Sequence, residues 1–178
     1  EAADAAWAAI ALLRNSLDRP TTVSAFQPEL KDVSNEANRF SGRFEGDSRI
    51  PGLMADLAAR WLAAGDHQLA LDYGSRVLTA PTASSAERYA AWQVMARIRQ
   101  EKGDYGLAER AWGQALNLAE SERLANVTEE QVSAIRKQLA TSVYRQAELA
   151  VSSGRLGEAV GHFRRVDSVL PGSDVAIR

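Results

Sequence analysis

Leu57-Ala58-Ala59-Arg60-Trp61-Leu62-Ala63-Ala64-Gly65-Asp66-His67-Gln68-Leu69-Ala70 is written again as Met95-Ala96-Arg97-Ile98-Arg99-Gln100-Glu101-Lys102-Gly103-Asp104-Tyr105-Gly106-Leu107-Ala108. A looser copy follows as Gln146-Ala147-x-x-Ala150, Gly154-Arg155 and Ala159. Each copy joins two apolar-periodic stretches through a glycine, the residue that most readily takes the left-handed backbone ending a helix. A helix–glycine–helix unit cannot bury its apolar face alone, so repeated copies are expected to stack on one another.

Working outward, the caps set the expected helices. Asp66 suits an N-cap after Gly65. Ser84-Ser85-Ala86-Glu87 and Thr128-Glu129-Glu130-Gln131 are capping boxes opening helices that run to about Lys102 and about Ser153. Helices are also expected over 51–64, 67–79, 104–122 and 156–170. Towards the N-terminus, Trp7, Ile10, Leu13 and Leu17 make an apolar stripe on a helix over 3–17 that Asp18-Arg19-Pro20 stops. A loop over 21–27 follows, then a helix begun at Pro28 carrying Leu30, Val33, Ala37 and Phe40, interrupted at Gly42 and Gly46-Asp47. The final Val175-Ala176-Ile177-Arg178 looks like the start of a further helix, and the missing initial Met points to a piece of a longer protein.

Composition narrows the function classes. The 21 basic and 23 acidic residues nearly cancel, giving a net charge of −2, with no whole-chain attraction for nucleic acid or anionic lipid. Arg136-Lys137 and Arg164-Arg165 are small basic clusters among Glu and Gln, without the aromatic interleaving of a nucleic-acid surface. Cysteine is absent, which excludes disulfides and thiolate chemistry. No apolar run nears the ~20 residues of a membrane span, so no membrane insertion is expected. His67 and His162 lie in separate helices without carboxylates at ligand spacing, and Glu129-Glu130 is explained by the helix dipole. Neither a phosphate loop nor a Gly-x-Ser-x-Gly nucleophile appears. No catalytic residue, metal or cofactor is therefore expected, and the chain is taken as a non-enzyme.

The units resemble the tetratricopeptide repeat, two antiparallel helices in a period of 34 residues. The second matches best: Trp92, Met95-Ala96, Gly103-Asp104-Tyr105, Ala108, Trp112 and Ala115-Leu116. The first offers Met54, Leu57-Ala58, Trp61, Gly65-Asp66, Ala70, Gly74 and Pro81; the third offers Val143, Ala147, Gly154, Ala159, Phe163 and Pro171. The resemblance implies an all-α, right-handed α-solenoid of antiparallel helix pairs. The repeats fall at 51–84, 89–122 and 140–173 within an array over 51–178, after an N-terminal helical segment over 1–50 that resembles a decayed repeat. Ala58, Ala70, Ala96, Ala108, Ala147 and Ala159 are expected at close helix crossings. Gly103 and Gly154 lie further apart than Gly65 and Gly103, with no Pro or Gly from Gln114 to Ser153. Elongated helices are thus expected between the second and third repeats, Val127 to Ser153 being one, with a ledge beyond the repeat layer.

In such arrays the first helix of each pair lines a concave groove. By register this implies Gly52, Ala55, Ala59, Leu62 and Ala63; then Ala90, Gln93, Arg97, Gln100 and Glu101; then Thr141, Tyr144, Glu148, Val151 and Ser152. Gln93, Arg97, Gln100, Tyr144 and Glu148 are the expected protein-binding residues, since they can hydrogen-bond a passing backbone and Tyr144 adds aromatic area. Ala55 and Ala59 stand where a carboxylate clamp would need Lys and Asn. The resemblance thus implies a non-catalytic scaffold or adaptor for another protein or peptide. The resemblance also implies an adaptor of a bacterial envelope assembly, and the Ala- and Arg-rich composition suggests a GC-rich bacterium, with the periplasm favoured over the cytoplasm. The rival readings are a cytosolic peptide-binding chaperone or regulatory module and the helical accessory domain of an enzyme.

Overall fold

A left-handed glycine closes one helix and an N-cap opens the next at each of the three repeated phrases. Gly65, Gly103 and Gly154 sit at φ 80°, 79° and 72°. The computed structural model describes residues 1–17, 29–122, 124 and 127–171. Among these it contains eight helices and no strand: α1 (Ala2–Leu17), α2 (Leu30–Arg43), α3 (Ile50–Ala63), α4 (His67–Thr79), α5 (Ser85–Glu101), α6 (Tyr105–Ser121), α7 (Glu129–Ser152) and α8 (Leu156–Val169). The loop over 21–27, the breaker Pro20, the Pro28 start and the turn of helix at 175–178 lie outside the described residues. None of the described helices is long and apolar enough to cross a membrane.

The caps behave as their chemistry requires. Asp66 accepts from the Leu69 amide at 3.0 Å. Ser84 and Glu87 close a reciprocal capping box, as do Thr128 and Gln131. Asp104 occupies the N-cap of α6 without bonding its amides; its carboxylate accepts instead from Arg99 at 3.4 Å.

Two compact units divide the chain, Glu1–Ala83 and Ser84–Arg178. The boundary drawn at residue 50 from the sequence falls inside the first unit, where α2 contacts α3. In the first unit α2 runs through Gly42, against the expected interruption, and the chain turns at Gly46 with φ 84°. Packing overrides the local weakness of that glycine. Phe40 and Phe44 stack at 5.0 Å, Trp7 meets Phe40 at 5.7 Å, and the Arg49 guanidinium covers the Trp7 and Phe40 rings at 5.2 and 5.5 Å. Polar contacts fix α2 further: Trp61 Nε1 donates to the buried Ser34 Oγ at 2.9 Å, and Asn38 Nδ2 to the Tyr73 hydroxyl at 3.1 Å.

The pairs α3/α4, α5/α6 and α7/α8 are each joined by a three-residue turn and pack on one another, so each reverses direction. All six crossing alanines are buried: Ala58, Ala70, Ala96, Ala108 and Ala147 at 0 % exposure and Ala159 at 2 %. Their missing side-chain bulk is what lets the backbones approach. The long spacing from Gly103 to Gly154 is mostly taken up as helix. α6 has 17 residues against 13 in α4, and α7 has 24 against 17 in α5. α7 is one unbroken helix, about 36 Å long at ~1.5 Å per residue.

A candidate binding groove on α5 and α7

In the second unit α7 lies against α6, and the length of α7 decides what the groove contains. Its side chains facing α5 step by three and four residues: Gln131, Ala134, Ile135, Gln138, Thr141 and Arg145. From α5 come Gln93, Arg97, Gln100 and Glu101, and from α6 Tyr105 and Trp112. Together they enclose an open trough of about 650 Å³.

Trp112 forms its floor and is 2 % exposed. A buried indole N–H needs an acceptor. Trp112 Nε1 donates to Gln100 Oε1 at 2.9 Å, and Gln100 Nε2 donates in turn to Gln138 Oε1 at 3.0 Å. This relay ties α6, α5 and α7 together across the trough. Beneath it, Tyr89, Ala96, Ala108, Ala111, Ala115, Ala119, Val132, Ile135 and Leu139 form the apolar core. Two outer ties join α6 to α7: Gln146 Nε2 donates to Glu109 at 2.7 Å, and Arg136 pairs with Glu120.

Gln93, Arg97 and Gln100 therefore line one trough. Gln100 contributes mainly to holding the floor. Gln93 and Arg97 have no hydrogen-bond or ion-pair partner among the described residues, and Arg97 is exposed.

Tyr144 and Glu148 do not belong to this trough. Tyr144 turns towards α8, meeting Phe163 edge-on at 5.7 Å. It lines a separate, largely apolar hollow of about 300 Å³ with Lys137, Ala140, Val166 and Leu170. Thr141 and Arg145 border both hollows. Glu148 accepts from Arg145 at 2.6 Å, a contact that raises the arginine pKa. Val151 and Ser152 lie at the exposed end of α7, outside either hollow. In the first unit, Ala55 is 8 % exposed and belongs to the core rather than to a wall.

Register transfer missed Gln131, Gln138, Arg145 and Trp112. The signal for the first three is their spacing of seven residues, which keeps them on one side of a long helix. Gln131 is itself engaged at the capping box, where its Oε1 accepts from the Thr128 amide at 2.9 Å. Among the described residues no three His, Cys, Asp or Glu side chains converge as a metal site would require. Compared with protein-family models, curated proteins and solved structures, the chain matches none.

Proposed function

We propose that this chain is a non-catalytic protein-binding scaffold, an α-solenoid of tetratricopeptide type, that takes an extended segment of a partner along the α5/α7 trough. The observation carrying this reading is the contrast within the trough. Its floor is fixed by the Trp112–Gln100–Gln138 relay, while Gln93 and Arg97 above it have no partner among the described residues. A rigid floor lowers the ordering cost of binding, and unengaged polar groups are free to pair with a passing main chain or a carboxylate.

Immobilised chain is used to select binders from a displayed library of unstructured peptides. The selected peptides are then titrated by fluorescence anisotropy against wild type and a Gln93→Ala, Arg97→Ala double variant. The variant is expected to bind at least about tenfold more weakly, ~1.4 kcal/mol, with an unchanged melting temperature. Equal affinity in a well-folded variant contradicts the proposal. Tyr144→Ala is not a clean probe, because Tyr144 also packs on Phe163.

A further inference from the structure

The pairs α5/α6 and α7/α8 carry one phrase in one register, and among the described residues a following helix covers only the first. Nine residues after the repeat glycine stand Trp112 on α6 and Phe163 on α8. Counting onward, Ala115 and Ala119 correspond to Val166 and Leu170, and counting back, Tyr105 and Glu109 correspond to Leu156 and Val160. On α6 this stripe meets α7, whose Val132, Ile135 and Leu139, spaced i, i+3, i+7, share a core with Trp112, Ala115 and Ala119. On α8 Val166 is buried against α7, but the rest of the stripe is open: Leu156 is 63 % and Val160 49 % exposed, Phe163 is half-buried against Tyr144, and Leu170 is half-buried at the apolar hollow. The molecule thus shows within itself what covers such a face: a helix presenting apolar residues at i, i+3, i+7.

This chain carries a helix of that description. Along α1, Ala5, Ala8 and Leu12 are spaced i, i+3, i+7 and all exposed, Leu12 at 69 %. At 16 residues α1 matches the 14 of α8 in length. Charge agrees as well. Lys137 and Arg164, beside the open face, have no acidic partner among the described residues, Asp167 lining the same hollow as Arg164, and Glu1 stands one turn before Ala5, just ahead of α1. We propose that the open face of α7/α8 receives α1 of a second copy of this chain, in a head-to-tail contact. Such a contact joins two different surfaces, so each copy keeps one unused head and one unused tail.

That asymmetry supplies the test. Leu12→Glu spoils only the head and Val160→Glu only the tail, and both residues are exposed, so each variant is expected to fold with wild-type helicity. Sedimentation velocity is run on wild type, on each variant and on their equimolar mixture over a wide concentration range. Wild type is expected to sediment as a growing series above the 19.3 kDa monomer as concentration rises. Each variant alone is expected to remain monomeric, and the mixture to form a dimer and nothing larger. A wild type that stays monomeric throughout overturns the proposal. So does a single variant that still associates, which would indicate a symmetric contact, and so does a mixture that fails to dimerise.

Discussion

In the first unit ion pairs and cation–ring contacts tie the N-terminal helices to the repeat pair, whereas in the second Gln93 and Arg97 stand without a partner among the described residues over the floor that Trp112 and Gln100 form. In Glu1–Ala83, Arg49 covers two rings and pairs with Asp47 at 2.6 Å and Asp4 at 3.0 Å. Arg76 lies over Tyr73 and donates to Asn38 and Ser41, and Asp56 is shared by Arg14 and Arg60. The Arg49, Arg76 and Arg14 contacts tie α1 and α2, which lack the regular phrase, to α3 and α4, which carry it. In Ser84–Arg178 the helices are joined by the Trp112–Gln100–Gln138 relay and by the pairs Gln146–Glu109, Arg136–Glu120 and Arg165–Glu109, and Gln93 and Arg97 stand outside these contacts.

The comparison breaks first at the alanines. Ala108→Leu forces a larger side chain into a crossing with 0 % exposure and is expected to cost about 1–3 kcal/mol in urea unfolding. An unchanged midpoint would mean that Ala108 is not at a close approach. In the first unit the vulnerable contact is polar. Trp61→Phe removes the donor to Ser34 Oγ, leaving a buried hydroxyl without that partner, and is expected to cost about 1 kcal/mol. A Ser34→Ala, Trp61→Phe double variant is expected to recover part of that loss.

The smallest effect is in the acid limb. The Arg49 guanidinium hydrogen-bonds Asp47 and lowers its carboxyl pKa from 3.8 to about 2. A depressed folded pKa contributes stability that is fully present above the unfolded value and is lost as pH falls from about 4 to about 2. Asp47→Asn is therefore expected to show a shallower loss of stability than wild type between about pH 5 and about pH 2.5, measured by urea unfolding. Parallel curves would remove Asp47 from the acid response.

Most of the helical architecture is legible in the sequence because its signals are local. The glycine–aspartate pairs, the Ser84 and Thr128 capping boxes and the small residues at crossings act within one or two turns of themselves. The end of α2 is not legible in that way, because aromatic stacking and the Arg49 cation carry it past Gly42 from distant parts of the chain. The candidate site is half legible. Gln93, Arg97 and Gln100 lie within the best-matched unit, and the three line one trough. Tyr144 and Glu148 follow from the register of the third and most divergent unit, on a helix of 24 residues, and there the face lining the trough is set by contacts along α7. Trp112 was legible only as an aromatic of the repeat; its N–H relay through Gln100 to Gln138 needs three helices in place.

The groove itself is tested most directly by the indole N–H groups. The chain has four tryptophans, of which Trp112 donates to the trough relay and Trp61 donates to Ser34 within the first unit. With uniformly ¹⁵N-labelled protein, a peptide selected on the immobilised chain is titrated and the indole resonances are followed. Occupation of the α5/α7 trough predicts that the Trp112 resonance shifts in a saturable manner while Trp61 stays in place. A peptide that binds with Trp112 unmoved would contradict the account and place recognition away from the trough.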